Sequence, residues 1–334
     1  MTLKELAAAC GISVSAVSKA LNGYPDVGEE TRALVCRKAE ELGYRPNAVA
    51  RALKSGRTYN LGILFADLAH GGLTHSYFGP VIDAFKKEAE ANGYEVTFLA
   101  HRTGSGRMTY LEHCRTRGFD GVCIVNFNEM DEEIRELVQS KIPLVSIDYA
   151  YPNRSCVRSN NEEGILRLTQ YILSRGHRRV AFISGENTGV TRTRREGFLR
   201  IMKAAGFPVP PEYLVQSVFH DPGSAHRAVA QLLELPERPS CIMVQDDLSA
   251  LGGMEAIRER GLRIPEDISI VGYDGVHLLQ LCTPRLTTYA QDTARIGQEA
   301  AGELIRLIEA PEEEKCRVLT VNGRLLIGDT VAQL

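Results

Sequence analysis

The chain has 334 residues, 44% of them apolar and 24% charged, with a formal net charge of −3. That length and apolar content suffice for a small module and two sizeable lobes, and the absence of both a bilayer-length apolar run and a secretory leader excludes a membrane span and predicts a cytoplasmic protein. The eight cysteines show no Cys-x-x-Cys or Cys/His ligand spacing, so they read as buried thiols of a reducing compartment, with no metal or other cofactor implied.

Charge is unevenly distributed. Residues 1–59 hold nine Lys/Arg against six Asp/Glu, leaving thirty against thirty-six for the rest, so a head of net +3 precedes a body of net −6. A basic head is suited to phosphates, and an acidic body stays off them.

The head opens with Thr2-Leu-Lys-Glu5, where the threonine hydroxyl caps a backbone N–H and Glu5 reaches back, the capping-box signature of a helix start. Leu3, Leu6, Ala7 and Cys10 share a face. Gly11 permits a tight turn, and Ser13 is a good N-cap for a second helix through Leu21. Inward spacing of Val17, Ala20 and Leu21 leaves Val14, Ser15, Ser18 and Lys19 facing outward near that helix's N-terminal end. A recognition helix presents this end to base edges in the major groove. Any helical bundle contains such pairs, but a third helix follows from Asp26–Glu30, with Leu34, Val35, Ala39 and Leu42 as its apolar stripe and Gly43 as its end. After it, the charges between Tyr44 and Arg57 are all basic: Arg45, Arg51, Lys54 and Arg57.

These segments, Thr2-Leu-Lys-Glu-Leu-Ala, Gly11-Ile-Ser-Val-Ser-Ala-Val-Ser-Lys-Ala-Leu-Asn22, Glu30-Thr-Arg32, Leu42-Gly-Tyr-Arg-Pro-Asn47 and Ala50-Arg-Ala-Leu-Lys54, resemble the headpiece and hinge of the LacI/GalR family of bacterial transcription regulators. The resemblance continues through nearly the whole chain. It implies base-reading positions at Val14, Ser15 and Lys19, with Ser18, Asn22, Ala50 and Lys54 also on the DNA side. It further implies that Leu53 is a hinge-helix leucine that wedges into the minor groove at the centre of a palindromic operator, an arrangement in which an unstacked base step admits a kink and more contact. Pro46 and Gly56 bracket a helix too short to stand alone. The hinge is therefore expected to order only when two copies pack through Val49 and Leu53 on DNA.

From Leu61 on, β-rich runs alternate with amphipathic stretches. Strands are predicted at Leu61–Phe65, Glu95–Leu99, Gly121–Val125, Leu144–Asp148, Val180–Ser184, Leu214–Val218, Cys241–Val244 and Ile268–Gly272. Helices are predicted at Phe78–Ala91, Glu163–Ser174, Arg195–Ala205, Ser224–Glu234 and Ala250–Arg260. So many alternations overfill one sheet and predict two doubly wound lobes. The resemblance adds a periplasmic-binding-protein-like body crossing between lobes near Asn160, Tyr289 and Val321. The expected organisation is a helix-turn-helix DNA-binding domain at 1–45, a hinge and linker at 46–59, and an effector-binding and dimerisation domain at 60–334. Within that domain, lobe one spans about 60–160 and 290–320, and lobe two about 161–289 and 321–334.

Ligands of such folds lie where strand carboxyl ends meet. Asp148, Asn160, Arg194, Asp246 and Asp274 fall at or near such ends, and a cleft edged by carboxylates, amides and a guanidinium suits a polyhydroxylated ligand. The resemblance places Arg194-x-x-Gly-Phe198 and Val271-Gly-Tyr-Asp274 at effector-contacting positions, Thr74, His75, Tyr77 and Phe78 along the pocket, and His220 at a lid position. A strand-terminal Asp also serves as a helix N-cap or a solvated loop group, and His75 and His220 read as polar wall rather than metal ligands because no partner stands at ligand spacing. Two departures from the family pattern are Gln245-Asp246-Asp247, where Ala-Asn-Asp is common, and a longer loop Ala69–Ser76 with two histidines. A carboxylate in place of an amide favours a donor-rich or cationic ligand.

No enzyme motif is present: no Gly-x-Ser-x-Gly elbow, P-loop or His-Glu-x-x-His. Gly104-Ser-Gly106 reads as a loop, and Asp246-Asp247 point to different sides, unlike a glycosidase pair. The expectation is a non-enzymatic repressor, a homodimer without a heptad tail, whose partners are operator DNA and a small effector, a sugar or sugar derivative. A sugar-binding transport or chemoreceptor protein would need export and has no use for the head. An enzyme with an accessory helical domain would have to turn over a substrate.

Overall fold

The computed structural model describes residues 1–21, 24–44, 56–66, 72–103, 106–126, 131–311 and 315–334. The chain divides into two compact units, Met1–Tyr59 and Asn60–Leu334.

The first unit holds α1 (Leu3–Cys10), α2 (Val14–Leu21) and α3 (Glu29–Glu41). Thr2 and Glu5 form the capping box, Glu5 N donating to Thr2 Oγ1 (3.3 Å) and Thr2 N to Glu5 Oε2 (2.7 Å). Gly11 ends α1 at φ 68°, a left-handed conformation that glycine adopts without a Cβ penalty. Ser13 Oγ accepts from Ala16 N at 3.1 Å to start α2. Leu6, Val17 and Val35 are fully buried where the three helices meet, each contributing roughly 1.5–3 kcal/mol by leaving water. Leu42, expected in this core, is 39% exposed. It is the C-cap of α3, where the backbone leaves the helical path and carries the side chain off the apolar stripe; Tyr44 packs against the core instead.

The second unit runs β1 (Asn60–Phe65), α4 (Phe78–Ala91), β2 (Glu95–Phe98), the short strands β3 (Arg102–Thr103) and β4 (Gly106–Arg107), α5 (Tyr110–Arg117), β5 (Gly121–Asn126), α6 (Glu132–Gln139), β6 (Leu144–Ile147), β7 (Ser155–Ser159) and α7 (Asn161–Ser174). It continues with β8 (Val180–Ser184), α8 (Gly189–Ala204), β9 (Leu214–Gln216), α9 (Pro222–Leu233), β10 (Cys241–Met243), α10 (Asp247–Glu259), β11 (Ser269–Asp274), β12 (Thr287–Ala290), α11 (Thr293–Glu309), β13 (Val318–Val321) and β14 (Arg324–Leu326).

Two six-stranded sheets result. One has the order β13-β7-β6-β5-β1-β2 and the other β14-β12-β11-β10-β8-β9; β14 runs antiparallel to β12, and the remaining pairs in both sheets are parallel. Central strands such as β5 are continuously buried, as parallel strands with both faces covered must be. The chain leaves the first sheet after β7 at Asn160, returns from the second after β12, and crosses again between β13 and β14. The first and third crossings touch: Asn160 Nδ2 donates to Asn322 Oδ1 at 2.9 Å.

Several boundaries differ from the sequence reading. The strand expected through Val218 ends at Gln216, and Val218 is 43% exposed. The helix expected from Arg195 begins at Gly189, because Thr188 accepts from Thr191 N and starts it early. Arg194 therefore sits inside a helix rather than ahead of one.

Candidate functional site

Two regions carry functional geometry. On the head, Val14 and Ser15 are exposed in the first turn of α2, while Ser18 and Lys19 are half-buried. Lys19 is ion-paired to Asp26 across the turn, a hydrogen bond and attraction that raise its pKa and hold Asp26 below the usual carboxylate range. Asn22, Ala50, Leu53 and Lys54, with the hinge expected around them, lie outside the described residues.

In the second unit, a cavity of about 250 Å³ opens between the carboxyl ends of the two sheets. His75, Tyr77, Phe78, Asp148, Arg194, His220 and Asp274, all singled out from sequence, line it together with Asn126, Tyr149, Glu186, Thr188, Phe219 and Gln291. The first lobe supplies Tyr77, whose phenol donates to Asp148 Oδ2 at 2.9 Å. Asp148 Oδ1 accepts from Ser159 N at 3.4 Å. His75 Nδ1 accepts from Tyr77 N and Phe78 N, both at 3.2 Å, and so caps α4. That assigns the ring proton to Nε2.

The second lobe supplies Arg194 from α8. Its Nε donates to Asn161 Oδ1 (2.7 Å), its Nη1 to the Gln245 carbonyl (3.2 Å), and its Cζ lies 3.6 Å from the Tyr273 ring centre. Only Nη2 has no protein acceptor among the described residues. Opposite stands Asp274, the last residue of β11, which accepts from Gln291 Nε2 at 2.7 Å. The segment ahead of α9 carries Phe219 and His220. Phe219 fits because Gly185 beneath it has no Cβ, which would overlap the ring, and Glu186 Oε2 accepts from Phe219 N at 3.0 Å. His220 stacks edge-on to His75 of the other lobe, with ring centres 4.1 Å apart.

Backbone and electrostatics are both unusual here. Asp148 (φ 62°), His220 (φ 54°) and Asp274 (φ 113°) all occupy positive φ, a region that costs a non-glycine residue roughly 1–3 kcal/mol and clusters at ligand clamps. Burial pushes the pKa of Asp148 up and that of Asp274 well up, against the pull of the Arg194 charge on both. Burial likewise drives the Tyr77 hydroxyl upward.

Three of the expected ligand residues stand elsewhere. Thr74, Asn160 and Asp246 do not line the cavity. Asn160 Oδ1 caps α7 by accepting from Glu163 N. Asp246 is fully buried and caps α10, accepting from Ser249 N and Oγ (both 2.7 Å) and from His220 N (3.0 Å). It reaches the cavity only through its hold on the His220 backbone. Asp247, its neighbour, points away and accepts from Gly275 N, Val276 N and Thr288 Oγ1. Asn126, Glu186, Phe219 and Gln291 were missed by the sequence reading. Of these, Asn126 and Glu186 follow apolar strand runs, the signal that had marked Asp148. Among the described residues no cluster of His, Cys, Asp or Glu is arranged to hold a metal ion, and no helix is long and apolar enough to cross a membrane.

Comparison with known proteins agrees with this architecture. Residues 2–47 match the family described as bacterial regulatory proteins, lacI family, and residues 169–331 match the periplasmic binding protein-like domain. The HTH-type transcriptional repressor PurR of Vibrio vulnificus is 31% identical over 341 residues, covering 100% of this chain and 99% of its own length. Among solved structures, the lac repressor dimer bound to operator and the anti-inducer ONPF is 25% identical, with a TM-score of 0.79 over 99% of each chain. The CelR–cellobiose complex is also 25% identical, with a TM-score of 0.71 over 99% of each chain. With a helix-turn-helix head, a two-sheet body and relatives that are repressors rather than enzymes, the chain belongs to the lacI family of bacterial regulatory proteins.

Proposed function

We propose that this protein is a cytoplasmic, dimeric, sequence-specific repressor that binds a palindromic operator and is controlled by a small polar ligand, a sugar or sugar derivative, held between the lobes. The observation that carries the reading is the cavity itself, in which Asp148 of one lobe and Asp274 of the other face the same space as the Arg194 guanidinium. A hydroxylated ring donates to the carboxylates and accepts from the arginine, so it bridges the lobes. The names of related proteins support both halves of this function: the lac repressor structure is a dimer on operator, and the CelR structure holds cellobiose.

In this reading, residues 1–45 form the DNA-binding domain, 46–59 the hinge and 60–334 the effector-binding and dimerisation domain. Val14, Ser15, Ser18, Lys19 and Asn22 face the major groove, and Ala50, Leu53 and Lys54 the minor groove. Two copies place two heads on half-sites related by a two-fold axis. Bringing the lobes together on ligand alters the spacing of the two hinges, and the ligand acts only through its different affinity for the two arrangements. A coupling of about 1–3 kcal/mol gives roughly 5–150-fold control.

Selection of a bound palindrome from randomised duplexes, followed by titration of that duplex with and without candidate effectors, tests the reading. Ligand-dependent affinity for one palindrome is expected. Absence of any sequence preference across the effectors overturns it.

A further inference from the structure

Acidic side chains outnumber Lys and Arg along the cavity. Asp148, Glu186 and Asp274 line it, and among the described residues neither Asp148 nor Asp274 has a Lys, Arg or His nitrogen within ion-pair distance. Asp148 is held by a phenol and a backbone N–H, and Asp274 by an amide. Asp246 and Asp247 lie close behind and oppose ionisation of Asp274 further. The cation lining the cavity, Arg194, is already shared among Asn161, the Gln245 carbonyl and the Tyr273 ring.

A second observation concerns an acceptor beside these acids. Gln291 is 8% exposed and lines the cavity, and with its NH2 committed to Asp274 its Oε1 has no partner among the described residues. An orphaned buried acceptor asks for a donor from outside. The walls are also aromatic, with Phe78, Tyr149 and Phe219 among the lining residues, and aromatic rings attract cations. Carboxylates without a contact ion pair, an acceptor without a donor and aromatic walls all ask for the same complement.

We propose that the effector is a cationic polar ring compound of monosaccharide size, an amino or imino sugar, whose ammonium group sits between Asp148 and Asp274 and donates to Gln291 Oε1. The inference rests on the reading of this cavity as the effector site. Arg194 Nη2 serves a hydroxyl oxygen at the other end of the ring. A carboxylate or phosphate on the ligand is repelled by the same acids.

The test is calorimetric titration of the full chain at pH 7 with matched probes. These are D-glucosamine, D-galactosamine and D-mannosamine, their parent hexoses, the corresponding uronates, and 1-deoxynojirimycin as the imino analogue of glucose. At least one cationic member is expected to bind about tenfold or more tightly than its neutral parent, as a charge-assisted hydrogen bond exceeds a neutral one, and the uronates are expected not to bind. Asp274→Asn keeps an oxygen for Gln291 but removes charge, so the preference for the cation should fall to about twofold or less. Equal or tighter binding of the neutral parent, binding of a uronate, or an unchanged preference in Asp274→Asn overturns the proposal. If no cationic probe binds but another metabolite does at this cavity, the cationic assignment falls and the effector site stands. If no fraction of a small-metabolite extract binds, both fall.

Discussion

Arg194 lies over Tyr273 with its guanidinium carbon 3.6 Å from the ring centre. The phenol beneath it is itself walled in by Tyr289, whose ring centre is 5.3 Å away, and by α7, where Gly164 leaves room for the hydroxyl. The orientation of the arginine thus depends on a stack that begins in the core of the second lobe, and loss of its planar fork has consequences for the cavity.

Arg194→Lys keeps the charge but loses the ring contact and the ability to serve Asn161, the Gln245 carbonyl and a ligand together. Effector affinity should fall by about 1.5–3 kcal/mol, the scale of a charged hydrogen bond. Operator binding without effector should be unchanged. Calorimetry with the effector and a fluorescence-anisotropy titration of the operator measure the two separately.

Gly164→Ala places a Cβ onto the Tyr273 phenol oxygen and 2.8 Å from the Tyr289 ring. Overpacking of this kind costs about 1–3 kcal/mol. Thermal unfolding should shift down by several degrees, and effector affinity should fall with it because the platform under Arg194 moves. An unshifted midpoint would mean that the two tyrosines yield freely.

Asp247 is buried, and burial raises its pKa to about 7 despite three donors to its oxygens. The folded chain therefore holds this proton more tightly than the unfolded chain does. Its contribution is fully present below an unfolded value near roughly 3.9 and is lost as pH rises to about 7. Asp148 and Asp274 shift in the same direction, so part of the slope persists in any single variant. Asp247→Asn retains an acceptor for the Gly275 and Val276 amides without the ionisation. Calorimetric midpoints should show the wild type losing ground to the variant between pH 5.5 and 8; parallel curves would refute the assignment.

On the head, Ser15→Ala removes an exposed hydroxyl at the end of α2 that faces DNA in the proposed complex. Base preference at one operator position should relax by about 1 kcal/mol, with the salt dependence unaltered, since phosphate contacts set that slope. Competition titrations against single-base operator variants read it out. A uniform loss across all sequences would make Ser15 a backbone contact.

The elements most legible in sequence were those whose own residues bury both faces. Gly121–Val125 and Val180–Ile183 carry no polar side chain, and Phe78–Ala91 carries a clear helical stripe. Ser155–Ser159 and Thr287–Ala290 were passed over because serine, threonine and arginine interrupt them; their burial comes from partners remote in sequence, Ser155 Oγ donating to Glu303 Oε1 at 2.7 Å and Thr288 Oγ1 to Asp247 Oδ1 at 2.6 Å. The same limit applies at the cavity. Asp148 and Asp274 stood out as acids ending apolar runs, but so did Asp246, and only the fold shows that its oxygens are spent on α10 and on the His220 backbone. Leu42 matched the helical stripe of α3 and left it at the cap. The crossings between lobes came from the family resemblance, since periodicity within a segment carries no information about which sheet that segment joins.

Gln291 contacts Asp274 twice, through its side chain and through its backbone N–H, which donates to the Asp274 carbonyl at 3.1 Å. It also stands where the polypeptide departs from one sheet for the other. In the proposed mechanism, a guest that pulls on this amide tugs the connecting strap itself, so a tight grip in the pocket would need no long relay through packed side chains to become a change of angle between the two halves.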